Sequence, residues 1–147
     1  CNTIHLAFEW VAPHSPLPWL HIAEEVAAEA KQLGCQRVAL LGTKLMMEGP
    51  VYPAKFAQVG IECCLPVKRE REHIDKFIFD EMVYGRFTAE ARSYLLEVIA
   101  RLRKEGCDAM GMCCTELPLL LRATDTALPL LDSTEILARA ALQRAVR

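Results

Sequence analysis

The chain has 147 residues, 52% of them hydrophobic and 24% charged, with a formal net charge of -2, which is enough to bury a core as one medium domain or two small lobes. That balance excludes a disordered chain and gives no electrostatic reason to expect a nucleic acid or an anionic membrane as partner. No apolar run has the length of a membrane span and no signal peptide is visible, so neither a membrane nor an export route is expected.

In chain order, IAEEVAAEAKQLG (22–34) reads as a helix with Lys31 near its end and Gly34 as its stop. CQRVALLGT (35–43) is a β-branched, apolar run and reads as a buried strand. A helix over about 50–58 and a short strand in GIECCLPV (60–67) follow. KREREHIDKFIFDEMVYG (68–85) places Ile74, Phe77, Ile78 and Met82 on one helical face. Thr88 is positioned to cap the next helix (88–106), whose stripe is Ala91, Leu95, Val98 and Leu102 and which Gly106 ends. CDAMGMCC (107–114) and ALPLLDS (127–133) read as two further strands, and Ser133 or Thr134 as the cap of a last helix, 135–147. Strands alternating with helices, without hairpin signals, imply an α/β fold: a mainly parallel sheet covered on both faces. In such sheets ligands sit beyond the carboxyl ends of the strands, where GTK (42–44) and MCCTE (112–116) fall.

Seven cysteines stand at 1, 35, 63, 64, 107, 113 and 114. Their odd number and irregular spacing point to free thiols in a reducing cytoplasm. Adjacent pairs lack the spacing of zinc ligands, and His5, His14, His21 and His73 do not supply it, so no metal is expected. Cys35, Cys63, Cys64 and Cys107 read as packing residues of strands, and so does Cys113, pointing into the sheet. Cys114 is different: followed by Thr115 and Glu116 at a turn into TELPLLL (115–121), it reads as a helix-start thiol with a lowered pKa. Asn2 and Thr3 either donate hydrogen bonds to a carboxylate or cap a helix, and His5 is either a core histidine or a neighbour that tunes a thiol.

CNTIH (1–5), LPWLHI (17–22), LLGTKLMMEGPVY (40–52), GMCCTELPLLL (111–121) and LLDSTEILARAAL (130–142) together resemble the PLP-independent aspartate/glutamate racemases, most closely their aspartate branch. The resemblance covers essentially the whole chain. It implies two similar α/β lobes facing a cleft, with one cysteine from each lobe and no cofactor. One thiolate would remove the α-proton of an acidic amino acid while the opposite thiol protonates the other face. Carried over by motif, Cys1 and Cys114 are that catalytic pair. Asn2, Thr3 and Thr115 would hold the α-carboxylate, and Glu116 would orient Cys114 or the substrate ammonium. Arg86 of YGR stands where a lysine that contacts the side-chain carboxylate is usual, and as a helix-end cation it has an equal claim to a solvated role. The resemblance also implies a homodimer, a partial first lobe (1–21 and 126–147) and a second lobe (22–125). The family carries elements ahead of the first cysteine, including a substrate-gripping arginine, so this chain is expected to be a fragment or to have further residues in the protein. Two more departures are Cys113 where glycine is usual and Leu45 where threonine is common. Alternatives within the superfamily are a hydantoin racemase or a maleate isomerase; outside it stand an inactive fragment and an N-terminal-nucleophile hydrolase acting through Cys1.

Overall fold

The computed structural model describes residues 2–146. Its strands are β1 (Arg37–Leu41), β2 (Glu62–Cys64), β3 (Ala109–Met112) and β4 (Leu130–Asp132). The helices are α1 (Phe8–Val11), α2 (Ile22–Gln32), α3 (Lys44–Glu48), α4 (Pro53–Gln58), α5 (Lys68–Asp80), α6 (Ala89–Lys104), α7 (Leu117–Leu120) and α8 (Ser133–Ala145). All four strands pair in parallel in one sheet, in the order β2-β1-β3-β4. The expected α/β class therefore holds. Of the segment that the resemblance groups with the first lobe, β4 pairs with β3 in this sheet and α8 packs on α2.

The sheet is apolar on both faces because each is covered by helices. On one side Ile74, Phe77 and Ile78 of α5 and Leu95, Val98, Ile99 and Leu102 of α6 meet Ala39, Leu41 and Met110. On the other, Ile22, Val26 and Ala30 of α2, Phe56 of α4 and Ile136 of α8 meet Val38, Leu40 and Ala109. The helical stripes read from spacing are the buried faces.

Differences from the sequence reading lie at element ends, and each has a local cause. The helix expected over 50–58 is α4, which starts only at Pro53, where a missing N–H costs a helix nothing, and a further short helix, α3, precedes it over Lys44–Glu48. The expected 68–85 helix ends at Asp80 and continues as a single 3-10 turn, Met82–Tyr84. Neither Ser133 nor Thr134 caps α8; Asp132 does, accepting from the N–H groups of Thr134 and Glu135 at 2.9 and 3.1 Å. Thr88 caps α6 as expected, accepting from the N–H of Ala91. Gly34, with φ +77°, ends α2 in the left-handed conformation that glycine adopts without cost. Before α2 the chain runs as a 3-10 segment, Asn2–Ala7, then α1 and a second 3-10 turn, Ala12–His14. No helix of the described residues is long and apolar enough to cross a membrane.

Candidate active site

The parallel register puts Leu41 opposite Met112 and Met112 opposite Asp132, so the chain leaves three neighbouring strands at one edge. Gly42 and Thr43 follow β1, Cys113 to Glu116 follow β3, and Ser133 follows β4. The strand ends approach closely there: a Cβ at Gly42 would lie 3.1 Å from the Cys113 carbonyl oxygen and 3.3 Å from its Cβ.

Over this edge lies a cleft of about 320 Å³. Asn2 and Thr3 line it together with Thr43, with Ile78, Phe79 and Val83, and with Cys113, Cys114, Thr115 and Glu116. A larger hollow of about 410 Å³, between α6 and residues 125–127, holds none of the residues singled out from the sequence. The structure thus brings Asn2, Thr3, Cys114, Thr115 and Glu116 together. Cys1 lies outside the described residues. Arg86 does not line the cleft; its guanidinium donates to the Asp80 carbonyl and lies 5.9 Å from the Tyr84 ring centre. Leu45 does not line it either and stands in a neighbouring hollow. Cys113 points into the core and is 2% exposed, the packing role expected of it.

Cys114 is the focus of the cleft's chemistry. Its thiol donates to Glu116 Oε2 at 2.9 Å, and the Thr115 hydroxyl donates to the same oxygen at 2.8 Å. Burial resists ionisation of Glu116, but the thiol, the hydroxyl and the Glu116 backbone N–H outweigh it and hold the carboxyl below its ordinary range. The same contact works in reverse on the thiol. Burial first, and then the carboxylate at its hydrogen, push the Cys114 pKa up to about 12. This corrects the expected lowering. The helix that was to favour a thiolate is a single turn starting at Leu117 with Glu116 as its N-cap, so its dipole is too short and too distant to offset burial beside a carboxylate. The Cys114 thiol is therefore protonated at neutral pH.

Replacing Glu116 by glutamine removes the negative charge but keeps an acceptor. The Cys114 pKa then falls, and its alkylation by iodoacetamide at pH 8 is expected to quicken by about tenfold. Peptide mass spectrometry, which separates Cys114 from the other thiols, reads this directly; unchanged or slower labelling refutes the coupling.

Burial also pushes Cys63 and Cys107 up to about 12, and Cys113 upward as well. In the unfolded chain these thiols ionise near 9.0. Because their folded pKa values are raised, their contribution to stability is complete below pH 9 and is lost as pH climbs toward 12. Under reducing conditions the urea midpoint should hold steady from pH 7 to 8.5 and fall steadily above pH 9; a flat profile to pH 11 would contradict the burial of these groups.

Sequence reasoning did not single out Tyr52, Ile78, Phe79 or Val83 as neighbours of the site, or Ser133 as anything but a helix cap. Phe79 lies on α5, a helix already accounted for by its buried stripe, and Val83 in the 3-10 turn after it, and no spacing marks them as cleft residues.

A family model described as Asp/Glu/hydantoin racemase matches residues 1–141. Among solved structures, the chain is similar to a Yersinia pestis protein assigned as an Asp/Glu racemase, with 33% identity and a TM-score of 0.94. It is also similar to an aspartate racemase homologue from Pyrococcus horikoshii OT3, with 31% identity and a TM-score of 0.91. A third similar structure is a Picrophilus torridus aspartate racemase, with 27% identity and a TM-score of 0.81. These similarities cover 100%, 100% and 99% of this chain, which spans 64%, 65% and 59% of the three proteins.

Proposed function

The chain belongs to the Asp/Glu/hydantoin racemase family, and from that premise we propose that it carries the site of a cofactor-independent racemase acting on an acidic amino acid, aspartate or glutamate. Cys1 and Cys114 are the two acid–base groups, and Asn2, Thr3, Thr115 and Glu116 position the substrate. Arg86 is the candidate contact for the side-chain carboxylate, the enzyme works as a cytoplasmic homodimer, and the lobe division is 1–21 with 126–147 against 22–125.

The observation that carries this reading is the Cys114 thiol hydrogen-bonded to the Glu116 carboxylate, both lining the cleft. A thiol kept neutral at pH 7 is a ready donor to a planar intermediate. In one direction the Cys1 thiolate takes the α-proton and the Cys114 S–H bond breaks to protonate the opposite face, leaving Cys114 as thiolate. The reverse direction exchanges these roles. Glu116 disfavours that thiolate until an α-ammonium group sits beside it, and this ties proton transfer to the presence of substrate. Incubation with L- or D-aspartate in D2O, without pyridoxal phosphate or added metal, should place deuterium at Cα of both enantiomers. No uptake with aspartate or glutamate would refute the amino-acid reading.

One observation favours a second reading within the same family. Ile78, Phe79 and Val83 give the cleft an apolar wall, and its only charged lining group among the described residues is Glu116. Such a wall suits a 5-substituted hydantoin, a neutral ring with an apolar substituent. Loss of optical rotation of a 5-alkylhydantoin, with aspartate left unchanged, would select it.

A further inference from the structure

Ser133 opens α8 but leaves its capping to Asp132 and turns into the core, where it is 0% exposed. Its hydroxyl donates to the Met112 carbonyl at 2.7 Å and accepts from Asn2 Nδ2 at 3.0 Å. The other end of the Asn2 amide accepts from the hydroxyl of Tyr52, which is also 0% exposed. Asn2 itself is 3% exposed. A continuous line of buried polar groups thus joins the residue before α4, the segment carrying Asn2 and Thr3, the start of α8 and the last residue of β3. Met112 stands two residues before Cys114. The Asn2 side chain, expected from the resemblance to grip a carboxylate, is engaged at both its oxygen and its nitrogen by the protein.

Apolar residues would fill this volume at less desolvation cost; a fully satisfied polar line instead specifies one relative placement of its members. We propose that Ser133, supported by Tyr52, is a positioning residue: it ties the Asn2–Thr3 wall to the end of β3 and so sets the gap across which that wall and Cys114 meet one substrate. Among the described residues no other side-chain hydrogen bond joins the 3-10 segment Asn2–Ala7 to the sheet or the helices packed on it. The catalytic meaning of the tie rests on the racemase reading above, whereas the tie itself rests on the geometry alone.

The test uses the full chain with Ser133→Ala, Ser133→Thr and Tyr52→Phe, read in two ways. Amide hydrogen exchange followed by mass spectrometry should show residues 2–7 exchanging about tenfold faster in Ser133→Ala and Tyr52→Phe, with β1 unchanged and protection returning in Ser133→Thr. For Cα deuterium uptake, kcat should fall by up to about a hundredfold in Ser133→Ala with a much smaller change in KM, again returning in Ser133→Thr. Unchanged protection of residues 2–7 overturns the tie. Lost protection with unaltered kcat overturns its role in positioning. If the parent chain takes up no deuterium with aspartate, glutamate or a hydantoin, the racemase reading fails, while hydrogen exchange still decides the tie. Tyr52→Phe, which deletes one oxygen and keeps the ring, decides it should Ser133→Ala not fold.

Discussion

On the racemase reading proposed above, replacing Cys114 by alanine is expected to lower interconversion of the two enantiomers by about 10²–10⁴, the usual contribution of a positioned acid–base group. In barrier height this is about 3–5 kcal/mol. The loss should appear in kcat, because a proton donor to the intermediate acts in the transition state and not in ground-state binding. The enantiomer whose α-proton faces Cys114 loses isotope exchange as well. Its mirror image keeps exchange without inversion, because the opposite base still works on its own face. Serine should not rescue activity, since a hydroxyl ionises far less readily than even this raised thiol. The variant removes one sulfur at the core's edge, so its circular dichroism and melting should stay near those of the parent. Interconversion retained within a few-fold would remove Cys114 from the reaction and leave the Thr115–Glu116 turn as a binding element only.

Phe56→Ala should have the largest effect on stability, about 3–5 kcal/mol. Phe56 is 0% exposed in the core between α2, α4 and the sheet, with its ring centre 5.7 Å from that of Tyr52. Deleting the ring leaves a cavity that neighbouring helices cannot collapse to fill. It also loosens Tyr52, whose hydroxyl holds Asn2. Against a domain stability of about 5–15 kcal/mol, such a loss removes much of the margin. Phe79→Ala is the matched control: the same residue type on α5, across the sheet, but 54% exposed, so its cost should stay within about 0.5 kcal/mol. Urea denaturation of both variants separates the cases, and equal midpoints would mean that the Phe56 side is not a packed core.

Much of the fold is legible because its signals are local. Val38 to Leu41 form a continuous apolar run, as a strand covered on both faces must. Ile74, Phe77 and Ile78 recur at helical spacing, and Thr88 and Gly34 mark ends through hydrogen bonds and dihedral angles within a few residues. The start of α4 was readable in principle from Pro53, and the strand ends were not, because pairing with a neighbour decides where a ladder stops. For the site, CTE at 114–116 singled out its own thiol, since a cysteine followed by a hydroxyl and a carboxylate at a turn departs from packing chemistry.

The sequence by itself determined the alternation of strands and helices and the packing role of Cys113, and it marked the CTE turn at 114–116 as chemically distinct. Only the tertiary structure decided the direction of the Cys114 pKa. A helix-start reading lowers it, whereas burial against Glu116 raises it, and burial is a property of everything packed around a residue. It likewise turned Ser133 inward, because Asp132 met the helix's free N–H groups first. It brought Asn2, Tyr52 and Ser133, separated by 50 and 131 residues of chain, into one buried line. Periodicity and capping act within a turn or two of helix; desolvation and hydrogen-bond closure depend on partners that only the folded chain brings together.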